Sequence, residues 1–239
     1  METLLVADSF RVRAQGGVAE ARGLDLHLDR FARSVRRVGG PHPRAFLRPA
    51  RAELAAYGAG FPRLELRRSE GGRSELGLSL RPLPELGDTI ELRTAGSRAE
   101  ARVTGDPRVK GPNIARFAEL NRELGAEAVL TEGGAVVEGA TTSLLWWDDH
   151  RLWAAGADAR VDSVTERLVL GIAAGQGVVS GLGRPAPGEL ARHGGWAANA
   201  LHGIRVATVV DGARTPEPDE DRLARFRDAL DLAWRPILG

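Results

Sequence analysis

The run Gly125-Ala126-Glu127-Ala128-Val129-Leu130, followed after a short gap by Val136-Val137-Glu138-Gly139-Ala140-Thr141-Thr142-Ser143-Leu144, decides how the rest of the 239-residue chain is read. Ala128 to Leu130 and Val136 to Glu138 are apolar stretches of strand length on either side of Glu132-Gly133-Gly134, the composition of a hairpin. A further strand runs through Leu144-Leu145-Trp146-Trp147 to a turn at Asp148-Asp149, so the region reads as compact β structure. Glu138 ends the second strand and is followed by small, hydroxyl-bearing residues. A carboxylate placed there could accept a hydrogen bond from a protonated ring nitrogen of a flat ligand lying close to the backbone. An edge-strand carboxylate in water would read the same way.

Upstream of this region, Pro112 can open a helix that Gly125 closes, with Ile114, Phe117, Leu120 and Leu124 on one face. Lys110 lies just before it, between Asp106-Pro107 and Gly111-Pro112. Of the 33 basic residues 32 are arginine, which makes Lys110 the single lysine of the chain. Arg and Lys serve equally well as surface charge, but a guanidinium does not form imines or act as a base near neutral pH. A desolvated amine at this position would have a lowered pKa and could form an imine with an aldehyde cofactor. The alternative is an exposed loop lysine that composition has left behind.

Downstream, Ser163-Val164-Thr165-Glu166 fits a capping box, so a helix is expected from Val164 to Gly175. Its first-turn N–H groups and the Thr165 hydroxyl suit a phosphate, although an ordinary cap also accounts for Ser163 and Glu166. Gly181-Leu182-Gly183 reads as a turn. A strand over Ile204 to Val210, a turn at Asp211-Gly212 and a last helix from Asp219 to Trp234 complete this half.

Toward the N-terminus, Leu4 to Arg13 reads as one strand ending at Gly16-Gly17. Leu24, Leu28, Phe31, Val35 and Val38 then repeat at helical spacing, with Arg30 inside that helix and Arg33, Arg36 and Arg37 directed outward. Pro41, Pro43 and Pro49 are expected to break the following segment, leaving a short helix from Ala50 to Tyr57. Leu64 and Leu66 pair with Leu76, Leu78 and Leu80 across Gly71-Gly72 as a hairpin, which a third strand, Thr89 to Arg93, is expected to join. Arg81-Pro82-Leu83-Pro84-Glu85-Leu86-Gly87 has linker composition. The division expected is residues 1–84 and 85–239, with Lys110 in the larger C-terminal domain and an α+β class overall.

Composition excludes several functions. The 33 basic and 32 acidic residues balance to +1 and interleave along the chain, which argues against nucleic-acid and membrane-surface partners. No stretch approaches the ~20 apolar residues of a spanning helix, and residues 1–13 lack a signal-peptide pattern, so a cytoplasmic location is expected. With no cysteine there are no disulfides, thiolate metal sites or cysteine nucleophile. The five histidines show no ligand spacing, and no metal is expected.

Taken in order, Arg30, Lys110, Glu138, Val164-Thr165 and Asn199 resemble the fold-type IV pyridoxal phosphate enzymes, the class IV aminotransferases and aminodeoxychorismate lyases. Leu26-His27-Leu28-Asp29-Arg30-Phe31 is similar to the family's His-x-x-Arg-Leu helix, and the resemblance implies that Arg30 binds the cofactor phosphate. Lys110 falls at the Schiff-base lysine. The run that begins at Val137-Glu138 is similar to the family's Glu-Gly-Ser-Thr-Ser-Asn-Leu, which implies that Glu138 pairs with the pyridine nitrogen. Val164-Thr165 and Ala198-Asn199-Ala200-Leu201 resemble its phosphate-binding segments, and Ser9 its substrate-side hydroxyl. Asp162-Ser163 stands where Pro-Gly is common, Glu166 where Arg is frequent, and Ser143 where Asn is usual. The implied protein is a D-amino-acid aminotransferase-like homodimer of two domains, the first shortened relative to the family. It would use pyridoxal 5'-phosphate to exchange an amino group between an amino acid and a keto acid. The alternatives are elimination releasing pyruvate, as in aminodeoxychorismate lyase, and a non-catalytic relative.

Overall fold

A computed structural model of the chain describes residues 2–156 and 160–238. The chain forms two compact units, each assembled from separated stretches of sequence.

The first unit takes Met1–Glu85, Gly105–Pro112 and Ala233–Gly239. Strand β1 (Thr3–Ser9) pairs antiparallel with β4 (Arg63–Arg68), which pairs with β5 (Ser74–Ser79). A second small sheet has the order β15–β3–β2, from Trp234–Pro236, Val18–Arg22 and Val12–Gln15. Helix α1 (Leu24–Arg37) buries Leu24, Leu28, Phe31 and Val35, as their spacing demands, and His27 and Arg30 go in with them. Helix α2 (Arg44–Tyr57) follows.

The expected single strand over Leu4 to Arg13 is instead two. Pairing with β4 stops at Ser9, and Val12 exchanges backbone hydrogen bonds with Gly60 before entering the other sheet. Helix α2 begins six residues before the expected Ala50 and carries Pro49 inside. Proline there costs the helix one bond to the Ala45 carbonyl without stopping it. Trp234, expected on a helix, lies in β15 opposite Arg22, with the guanidinium groups of Arg11, Arg13 and Arg22 at 5.5, 4.6 and 4.6 Å from its ring centre.

The Lys110 segment also departs from the contiguous division at 84/85, because it packs in the first unit. The Ala7 N–H donates to the Lys110 carbonyl at 2.8 Å. Gly111, at φ 145°, lies so close to β1 that a Cβ on it would sit 2.6–2.7 Å from the Val6 and Ala7 backbone. A glycine is needed there for room and for backbone conformation alike.

The second unit takes Leu86–Thr104 and Asn113–Leu232. Its elements in chain order are β6 (Thr89–Ser97), α3 (Ile114–Leu124), β7 (Glu127–Glu132), β8 (Ala135–Gly139), β9 (Ser143–Asp148), β10 (Arg151–Ala155), α4 (Val164–Gly175), β11 (Ser180–Gly183), α5 (Pro187–His193), β12 (Gly195–Asn199), β13 (Gly203–Val210), β14 (Ala213–Arg214) and α6 (Glu220–Asp231). One mixed sheet runs β11–β10–β9–β12–β13–β6–β7–β8, with β14 on β13. Alternation along β9 and β12 divides the core between the two faces. Leu145 and Trp196 pack with Val169 of α4 and Leu223, Phe226 and Leu230 of α6. Leu144, Trp146 and Ala197 pack with Leu190 of α5.

Two further expectations change here. Strand β6 does not join the β4–β5 hairpin but lies parallel between β13 and β7, and Gly181-Leu182-Gly183 is strand rather than turn, parallel to β10. The β7–β8 hairpin, β9, α3 and α4 stand where their patterns place them. Among the described residues no helix is long and apolar enough to cross a membrane.

Candidate active site

Two groups of candidate side chains form, one in each unit. In the first, the sheet face of β1 carries Asp8, and α1 turns His27 and Arg30, one helical turn apart, toward it. The Asp8 carboxylate accepts from Arg30 Nε at 2.7 Å and Nη2 at 2.8 Å, and from His27 Nδ1 at 2.7 Å. All three side chains are buried. Burial opposes the Asp8 charge, but Arg30 and His27 outweigh it and hold the carboxyl well below its usual range. Burial pushes His27 down to about 4, with Arg30 and Lys110 adding to the effect and Asp8 resisting it. His27 is therefore neutral at pH 7 and donates from Nδ1.

Lys110 is half-buried beside this cluster. Burial lowers its amine to about 8, Arg30 and Arg81 push in the same direction, and Asp8 opposes them. Arg81 donates from Nη2 to the Ser9 hydroxyl at 3.1 Å and lies over the Phe61 ring, while its buried Nε has no hydrogen-bond partner. Burial and the neighbouring Arg63 lower its proton affinity. Ser9, Arg30 and Lys110 are thus brought together in this unit, joined by Asp8, His27 and Arg81.

In the second unit, Glu138 is buried at the end of β8 and pairs with Arg98. Burial raises its carboxyl to about 7, against the pull of Arg98, the Val161 backbone N–H and Arg160 and with the push of Glu166. The loop after it is knotted by a second buried carboxylate. Glu127 accepts from the Thr141 N–H at 2.6 Å, the Thr142 hydroxyl at 3.0 Å and Asn121 Nδ2 at 2.8 Å. Gly139 must lack a side chain, since a Cβ would fall 2.3 Å from Thr142 Oγ1 and 2.9 Å from Glu127 Oε1.

Val164 and Thr165 are buried at the start of α4, where Ser163 Oγ accepts the Glu166 N–H at 3.3 Å. In a helix start of this kind the N–H groups of the first two residues have no acceptor within the helix. The Glu166 carboxylate pairs with Arg160, so the cap is one-sided. Asn199 stands apart. Its Oδ1 accepts from the Leu201 and His202 N–H groups at 3.1 and 2.9 Å, closing the β12–β13 turn. Among the described residues no His, Asp and Glu cluster could hold a metal ion.

Asp8, Arg81, Arg98 and Glu127 carried no site reading in the sequence. Asp8 is one polar residue in a strand pattern, and its partners lie 19 and 22 residues away. The three-residue spacing of His27 and Arg30 was the one available signal, because it places both on one helical face.

The family model for amino-transferase class IV matches residues 5–209. No curated protein matches the sequence. Among solved structures, the branched-chain aminotransferase of the thermophilic archaeon Thermoproteus uzoniensis, with norvaline, is similar at a TM-score of 0.81 and 16% identity, over 98% of this chain and 90% of that one. A hypothetical aminotransferase from Mycobacterium tuberculosis in its PLP-bound form gives 0.79 and 17%, over 95% and 88%. The fold IV transaminase CpuTA1 from Curtobacterium pusillum gives 0.78 and 20%, over 94% and 83%.

Proposed function

This chain belongs to the amino-transferase class IV family, and we propose on that basis that it uses pyridoxal phosphate to move an amino group between an amino acid and a keto acid, with Lys110 as the reacting amine. The observation that carries the reading is the state of Lys110: a single, half-buried lysine whose amine is lowered to about 8 beside two arginines. Such an amine is partly unprotonated near neutral pH and can act as both nucleophile and proton carrier. The residues fit the cofactor's chemistry. Pyridoxal phosphate, when bound, supplies an aldehyde for an amine and a ring that accepts electron density.

Arg30, held in plane by Asp8, offers the first unit's charge for a phosphate, and the Val164 N–H and the Thr165 N–H and hydroxyl offer donors of the same kind in the second unit. Asn199 could add only its amide NH2, because its carbonyl closes a turn. Glu138, half-ionised near neutrality and steadied by Arg98, would hold a proton at the pyridine nitrogen. Lys110 would take the α proton of the substrate and return it one step later. Arg81 and Ser9, hydrogen-bonded to each other in the first unit, supply a cation and a hydroxyl that could receive a substrate carboxylate. The reading carries with it a homodimer in the cytoplasm acting on small-molecule substrates, without a nucleic-acid or membrane partner.

Incubation of the purified chain with pyridoxal phosphate, amino donors and keto acids tests the reading. Paired formation of a new amino acid and a new keto acid, lost in Lys110→Ala, is expected. Pyruvate released from aminodeoxychorismate without an acceptor would reassign the reaction to elimination. Neither product with any donor would sink the enzymatic reading.

A further inference from the structure

Asp8 touches neither cofactor nor substrate in the proposed chemistry, yet it is the residue on which the first unit's cationic corner is built. It is almost wholly buried and clamps Arg30 through both Nε and Nη2. Its neighbour Ala7 donates a hydrogen bond to the Lys110 carbonyl, and Gly111 is pressed against the same strand. The Lys110 backbone is thereby fixed to the strand that carries Asp8.

The charged and titratable groups that act on the Lys110 amine within this unit are Arg30 and His27 from α1, Asp8 from β1 and Arg81 beyond β5. Two are permanent cations. His27 is neutral, so it steadies the Asp8 carboxylate without cancelling its charge. Without the carboxylate, the amine would have to take a proton beside the Arg30 and Arg81 guanidinium groups and would lose the attraction of Asp8.

We propose that Asp8 is a positioning residue for the reaction: it fixes the plane of the Arg30 guanidinium and supplies the negative charge against which the Lys110 amine is set. This rests on the reading of Lys110 as the reacting amine. A purely structural role would require only that Asp8 neutralise Arg30 for folding. The role proposed here also requires that the Asp8 charge be felt at the Lys110 nitrogen.

Because the chain has one lysine, labelling with ε-13C-lysine gives one side-chain resonance, whose titration reports the amine directly. The chain, stripped of any bound carbonyl compound, is compared with Asp8→Asn, Arg30→Gln and the double variant. Removal of the Asp8 charge should move the Lys110 midpoint down by about one pH unit or more, and removal of Arg30 should move it up. The double variant should return toward the wild type. A folded Asp8→Asn protein with an unmoved midpoint would overturn the proposal.

Should Asp8→Asn fail to fold, the double variant carries the test, since it leaves no unpaired buried ion behind. Its midpoint must then lie closer to the wild type than that of Arg30→Gln, and identical midpoints for those two would overturn the proposal. Borohydride fixation of pyridoxal phosphate to wild-type Lys110 separates this inference from the reading beneath it. Fixation with an unmoved midpoint removes the role of Asp8 alone, whereas absence of fixation removes both.

Discussion

Lys110 and Glu138 are both driven toward neutrality by burial, from opposite sides of pH 7, which is how the chain comes to hold both an available base and a partly protonated acid. Replacing Lys110 by Arg keeps the charge and removes the transferable proton, so turnover should fall by at least ~10²–10⁴ while the fold is retained. Steady-state rates beside a circular dichroism spectrum check this. If Glu138 faces the reacting ring as proposed, Glu138→Gln should lower turnover by roughly 10²–10³ through loss of a preorganised charge. His27 gives a stability prediction with a definite sign. Its folded pKa, about 4, lies below the unfolded value near 6.5, so the unfolded chain binds the extra proton between those values. Stability from His27 is present above pH 6.5 and is lost as pH falls toward 4, and His27→Gln should flatten that part of a urea-midpoint profile. Glu138, with its raised pKa, works in the opposite direction over pH 4.5–7, so the difference between wild type and variant is the quantity to read. At this scale the sequence showed the residues whose type is rare or whose neighbours are unusual, the lone lysine and the glutamate before a run of small residues. Asp8 and Arg98 stayed hidden because a buried ion pair leaves no local pattern when its partners are 22 and 40 residues distant.

Helix α4 begins where a serine and a glutamate three residues apart say it should, and the Ser163 hydroxyl accepts the Glu166 N–H. Ser163→Ala should cost about 1 kcal/mol in chemical denaturation and weaken cofactor retention, because the same turn presents the Val164 and Thr165 N–H groups. The loop after β8 depends on Glu127 in the same way: its carboxylate gathers donors from Thr141, Thr142 and Asn121. Elements with strong periodicity, such as α1, α3 and the β7–β8 hairpin, were legible because local pattern and final environment agree. Alternation says that strand β6 exists but not which sheet receives it, and it lies between β13 and β7 rather than on the β4–β5 hairpin. The last helix is shorter than its pattern predicts, since Trp234 continues the spacing of Leu223, Phe226 and Leu230 but belongs to β15. Only tertiary contact, the stacking of three arginines on its ring, distinguishes the two.

Over the whole molecule the near-zero net charge conceals a division. The first unit holds 18 basic and 11 acidic side chains, and the second holds 15 and 21. Because each unit is assembled from distant stretches, no window along the chain reveals this. The cationic unit is the one that carries Arg30, Arg81 and Lys110, which favours anionic ligands there. Its integrity depends on the C-terminal strand, so Trp234→Ala should destabilise the protein by about 3–5 kcal/mol in urea unfolding, far more than any surface substitution. The single lysine, also a property of the whole chain, makes the central claim directly measurable. Pyridoxal phosphate is added to the purified protein, the product is reduced with borohydride, and the peptides are mapped by mass. The account predicts one phosphopyridoxyl group, on Lys110, and none in Lys110→Arg. A folded wild-type protein whose Lys110 peptide comes back unmodified would contradict it.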